Sequence, residues 1–241
     1  MITFRDTYDS RKKEITDFLE LMEFLERKEN NREDGKSEFS KFFHTEDMGI
    51  RLTYQSLINI LKSNVSLMIY NIIEYTVANL VDSIYDEIRL NHLTYVDVNE
   101  SIRELWRKTV LKSANDPKAN FNTFLKKNEE IINAILNNNE LELYARNTLP
   151  GGNLDGISIR QTFECHGIQV QTSSPNYRPD ILEGIKESRN NLAHGSVSFV
   201  EAVREDSIVD IRKNETFVTA FLDELIDTVS VYIAEQKYKV S

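Results

Sequence analysis

Along most of the chain apolar residues recur at spacings of three and four, and almost nowhere do they alternate with polar ones. That period predicts helices rather than strands. Over 7–29, Ile15, Phe18, Leu19, Met22 and Leu25 mark one face of an amphipathic helix, with charges on the other. The polar stretch that follows has no apolar period, and 30–41 is expected as a loop. Over 53–90, Leu57, Leu61, Val65, Met68, Ile69, Ile72, Ile73 and Leu80 trace a broad apolar face without proline or glycine. A helix apolar over so much of its circumference belongs at the centre of a bundle.

The remaining elements are bounded by their caps. Asp97 or Asn99 is placed to cap a helix carrying Ile102, Leu105, Trp106 and Val110. A further helix is expected from Asn120 to Asn137. Pro150, Gly151 and Gly152 make a turn, after which Asp155 caps a short helix that ends at His166, before Gly167. "QVQTSSPNYRPD" reads as a loop, and "ILEGIKESRNNLAHG" as a helix that stops at Gly195. The last helix is expected over 214–236, and "SIVDI" just before it has the composition of a short strand. There is no internal repeat. The expected organisation is all-α, with an N-terminal amphipathic helix and polar loop over 1–41 and a helical domain over 42–241.

Composition narrows the function classes. Eight glycines and four prolines among 241 residues suit long helices. A formal net charge of -10 disfavours general coating of nucleic acid or of anionic membrane, yet leaves room for a local cationic cleft. Cys165 is the only cysteine, so neither an internal disulfide nor a cysteine zinc site can form within the chain. The first residues lack the apolar core of a signal peptide. The densest apolar run, "NVSLMIYNIIEYTVANLV", is broken by Asn71, Glu74 and Asn79, short of the roughly 20 residues of a membrane span. A cytoplasmic location without membrane association is expected.

One stretch gathers candidate chemistry. "ESRNNLAHGSVSF" holds Arg189, Asn190 and His194, and only four histidines occur in the chain. On an ideal helix Arg189 and His194 stand about 140° apart, whereas Asn190 and His194 share a face. One chain does not converge the arginine and the histidine. A second copy meeting the first across a twofold axis would supply one cleft with two of each. Histidine exchanges protons near neutral pH, and the negative end of the helix favours a cation there. Arginine clamps phosphate with a planar fork. Together they suit metal-free RNA cleavage, in which the ribose 2′-hydroxyl attacks the adjacent phosphate. The ordinary alternative has His194 as a helix cap and Arg189 as a surface ion-pair partner.

"ESRNNLAHGSVSF" also resembles the Arg-x4-6-His motif of the HEPN superfamily. With "NVSLMIYNIIEYTVANLVDSIYDEI" and "PGGNLDGISIRQTFECHGI", it makes residues 55–235 similar to the MAE-type HEPN-like nuclease family of bacteria. That resemblance implies an all-α bundle of the HEPN type that dimerises through its motif helices. It implies a metal-independent endoribonuclease that takes RNA as substrate, needs no cofactor, and serves as a toxin or phage-defence effector. An antitoxin or a neighbouring defence protein is then the expected partner. It assigns Arg189 and His194 as the catalytic pair and Asn190 as an auxiliary. Glu74 matches an acidic position on the long core helix, from which a carboxylate orients the arginine or histidine or forms an ordinary core ion pair. The alternative within the superfamily is a non-catalytic module that binds a nucleotide or a partner protein.

Other candidates are weaker. Cys165 and His166 are adjacent, so their side chains diverge, and Cys165 is expected as a small packing residue. His44, in "HTED", reads as part of a solvated loop, and neither it nor His92 stands at a metal-site spacing. No phosphate-loop motif accompanies "GGN". Arg160 is placed to reach a phosphate at the substrate rim.

Overall fold

The computed structural model describes residues 2–30, 53–114, 120–151 and 153–240. The expected loop at 30–41 and the "HTED" segment fall almost wholly outside them. The helices are α1 (Ile2–Asn30), α2 (Tyr54–Leu90), α3 (Glu100–Leu111, followed by a 3₁₀ turn at Lys112–Ala114), α4 (Phe121–Leu136), α5 (Ala145–Thr148), α6 (Gly156–Cys165), α7 (Pro179–Ala193) and α8 (Ile208–Ala234). Two isolated bridges, Thr94 with Glu140 and Val98 with Lys239, are the extended pairings among the described residues.

Caps set most of these boundaries. Asn99 and Asn120 accept from the amides of Ile102 and Thr123 at 3.0 and 2.9 Å, starting α3 and α4. Asp155 and Ser158 form a reciprocal capping box at α6. The last helix begins earlier than its apolar period suggests. Within "SIVDI", residues 208–211 are helical rather than a strand, and Ser207 directly precedes the helix. The Ser207 hydroxyl accepts from the Asp210 amide (3.1 Å), and the Asp210 carboxylate accepts from the Ser207 amide (3.1 Å). This closed pair nucleates the turn, with Ile208 and Ile211 buried. The one-turn α5 has no sequence period to announce it; the Asp82 carboxylate holds it by accepting from the Ala145 amide at 2.9 Å.

The chain divides into two compact units, and α2 and α8 contribute residues to both. The first comprises residues 1–73 and 178–220. Its core is built from Tyr8, Ile15, Leu19 and Met22 of α1, Val65, Ile69 and Ile73 of α2, and Leu182 and Ile185 of α7. Several buried polar groups in it are met: Lys62 donates to the Asp206 carbonyl (2.6 Å), Ser63 to the Phe199 carbonyl (2.7 Å) and Tyr8 to the Thr219 carbonyl (3.2 Å). An ion pair joins Arg212 to Glu23 at 2.9 Å.

The second unit comprises residues 74–177 and 221–241. Val77, Val81, Ile84 and Tyr85 of α2 are enclosed there, with Ile102, Phe163, Leu222 and Val229. By length and composition α2 is apolar enough to cross a bilayer, despite its polar breaks. However, 56% of its most apolar window is buried inside the protein, as befits a core helix.

Candidate functional site

Arg189 is placed by the inward face of α7. Leu182, Ile185 and Leu192 are the buried residues of this helix. Arg189 follows Leu182 by seven and precedes Leu192 by three, so it shares their face. Its guanidinium carbon lies 4.8 Å from the centroid of the Tyr70 ring on α2, and that ring is fully buried. Its Nη1 donates to Asn190 Oδ1 at 3.0 Å. The arginine is thus half-buried and supported from one side by an aromatic face.

His194 is placed by the way α7 stops. The helix stays regular through Ala193, and the His194 amide donates to the Asn190 carbonyl at 2.9 Å. Gly195 then turns into the left-handed region (φ 68°). The Gly195 amide reaches Leu192 O (3.2 Å) and the Ser196 amide reaches Asn191 O (2.9 Å). These two bonds make a Schellman ending. Asn190 therefore touches both partners, Arg189 through its side chain and His194 through its main chain. The helix does not unwind, so arginine and histidine keep their separate faces and the His194 side chain is exposed.

The same His-Gly ending closes α6, with a different outcome. Gly167 (φ 81°) donates to Glu164 O and Ile168 to Phe163 O, both at 2.9 Å. Here the residue after the glycine is the buried Ile168 rather than the exposed Ser196, and the chain folds over the imidazole. His166 is buried, and burial pushes its pKa down to about 4 although the Thr162 carbonyl pulls the other way. Nδ1 faces that carbonyl at 2.7 Å and must carry the proton. Nε2 is then the acceptor for the Tyr85 hydroxyl, 2.7 Å away. Neutral His166 is a structural strut, and of the two it is His194 that remains open to chemistry.

The remaining expected residues are on α2 and α6. Glu74, on α2, is half-exposed rather than sunk in the core. Arg160, on α6, pairs with Glu164 at 3.7 Å. Both belong to the second unit, whereas Arg189, Asn190 and His194 belong to the first. Cys165 corrects the sequence reading: it is exposed, not a packing residue, and lines a cleft of about 300 Å³ with Ser101, Lys108 and Gln161. It is the last residue of α6, directly before the His166 cap. Tyr70 is the residue that motif reading missed. Its signal was a tyrosine among the aliphatic residues of "LMIYNII", where only a ring offers a face to a cation.

Among the described residues no group of three or more histidine, cysteine or acidic side chains is arranged as metal ligands. The chain matches, over residues 3–238, the family described as MAE_28990-like HEPN, a match that takes in α1 as well as the motif helix. No curated protein and no solved structure matches it.

Proposed function

Since the chain belongs to the MAE_28990-like HEPN family, a nuclease-like or nucleotide-binding module, we propose that it is a metal-independent endoribonuclease. The observation that carries this reading is the paired placement of Arg189 and His194 by Asn190, with the arginine braced on Tyr70 and the histidine exposed. Because the two side chains stand on separate faces of α7, the working cleft is assembled from two copies of the chain across a twofold axis. One copy's His194 takes the proton of the ribose 2′-hydroxyl. The 2′-oxygen bonds to phosphorus, and the bond from phosphorus to the 5′-oxygen breaks. The His194 of the second copy, protonated, gives its proton to the leaving 5′-oxygen. Arg189 offers its fork to the crowded, negatively charged phosphate in the transition state. The products are a 2′,3′-cyclic phosphate and a free 5′-hydroxyl, and DNA, which lacks the 2′-hydroxyl, is left intact.

Asn190 acts as a positioning residue. Glu74 and Arg160 enter as second-rank candidates, an orienting carboxylate and a phosphate contact at the rim. Cellular service as a toxin or phage-defence effector in the cytoplasm, held in check by an antitoxin or a neighbouring defence protein, fits such an activity. The test is RNA cleavage in EDTA by the native protein, Arg189→Ala and His194→Ala. Cleavage by the native protein alone supports the reading. Equal cleavage by all three, or by none, sinks it and leaves a binding-only module.

A further inference from the structure

Helix α4 presents an apolar stripe that none of the described residues of its own unit covers. No residue of this helix is buried, although it rests against α3 and the 3₁₀ turn. Phe121 is 71% exposed, Leu125 48%, Ile132 54% and Leu136 73%. At about 100° per residue these four side chains fall within roughly 60° of arc. A continuous exposed stripe of this kind marks an interaction surface, unlike single apolar residues scattered over a surface.

The order of the stripe indicates what covers it. Its members are separated by 4, 7 and 4 residues, so the spacing is the same read from either end. A twofold axis passing between Asn128 and Glu129 reverses the helix. It lays Phe121 of one copy on Leu136 of the other, and Leu125 on Ile132. That is the self-complementarity an isologous contact requires. The same rotation keeps each flank of the helix on its own side. Lys126 and Glu129 both lie on one flank, about 140° and 80° round from Phe121. Across the axis each lysine therefore faces the other copy's glutamate. Both are exposed, and the ion pair that α4 does make, Lys127 with Glu130 at 2.6 Å, sits on the far side. At the centre of the seam, Asn128 Nδ2 is already satisfied by its own Phe124 carbonyl at 2.8 Å.

We propose that α4 is a homotypic docking helix, which pairs antiparallel with α4 of a second copy of this chain. The contact is separate from the cleft at the end of α7 and does not depend on the nuclease reading. One helix of 16 residues offers less than the roughly 800 Å² per partner of a standard interface, so the association depends on concentration.

Cross-linking reads this interface directly. With Cys165→Ser removing the only cysteine, Asn128→Cys sets two thiols beside the axis, and Glu130→Cys sets them on the far side. The expected result is a covalent dimer with a short bismaleimide for Asn128→Cys, little for Glu130→Cys, and loss of the dimer when Leu125→Glu is added. Equal cross-linking at both positions, or no effect of Leu125→Glu, overturns the proposal, as does an absence of cross-linking, which would leave the stripe to another protein or a membrane. Leu125 is on the surface, so the charge does not disturb the core. Sedimentation velocity provides the second measurement: Leu125→Glu with Ile132→Glu should remove one association step. Failure of the nuclease reading would leave both results unchanged.

Discussion

The guanidinium carbon of Arg189 stands 4.8 Å from the centre of the Tyr70 ring, and the ring itself is wholly enclosed. An aromatic face fixes where the charge sits without consuming the hydrogen-bond donors that a phosphate needs. Tyr70→Phe is expected to keep cleavage near the native rate. Tyr70→Leu removes an attraction of about 1 kcal/mol and should lower kcat about fivefold while the helix content is kept. Equal rates for the two variants, measured at saturating RNA, would remove Tyr70 from the site.

Stability should depend on pH through His166. Its folded pKa, about 4, lies below the ordinary value of 6.5. Between these values the unfolded chain binds the proton and the folded one does not. Stability is therefore full above the unfolded pKa and falls as pH drops through that window, by about 3 kcal/mol in all. The check is thermal unfolding at intervals across the window. His166→Gln should be less stable than the native protein at neutral pH and should lose less on acidification.

Gly195 holds a positive φ with no atom within 4 Å of the place a Cβ would occupy. Gly195→Ala meets only the backbone cost of the left-handed region, about 1 kcal/mol. A fall in melting temperature of a few degrees is expected, with cleavage reduced in step if the turn sets the place of His194. A neutral substitution would contradict the assigned turn.

Cys165 is exposed at the end of α6. A thiol reagent should label it in the folded protein at a rate close to that of the denatured chain. Labelling only after denaturation would return it to the core.

Helices with a clear apolar period were legible from the sequence. The extent of α2 and the caps at Asn99, Asn120, Asp155 and Gly195 stand within a residue of their reading, because a cap is a local signal. Two elements were not legible. The start of α8 is set by a local cap, Ser207 with Asp210, that a strand-like composition obscures, and α5 rests on a carboxylate 63 residues away. The motif singles out Arg189 and His194, and their unequal burial follows from register. Arg189 falls in line with Leu182 and Leu192, and His194 does not. The two His-Gly helix ends look alike in sequence, and the residue after each glycine, Ile168 or Ser196, decides which imidazole is enclosed.

The shared cleft is tested most directly by mixing. Each cleft needs the His194 of both copies, so a dimer of one native and one His194→Ala chain is expected to be inactive. Native protein mixed with an equal amount of His194→Ala, with subunits allowed to exchange, should therefore cleave RNA in EDTA at about a quarter of the rate of the same total amount of native protein. A rate of about half, as a site complete within each chain would give, would contradict a site assembled from two copies.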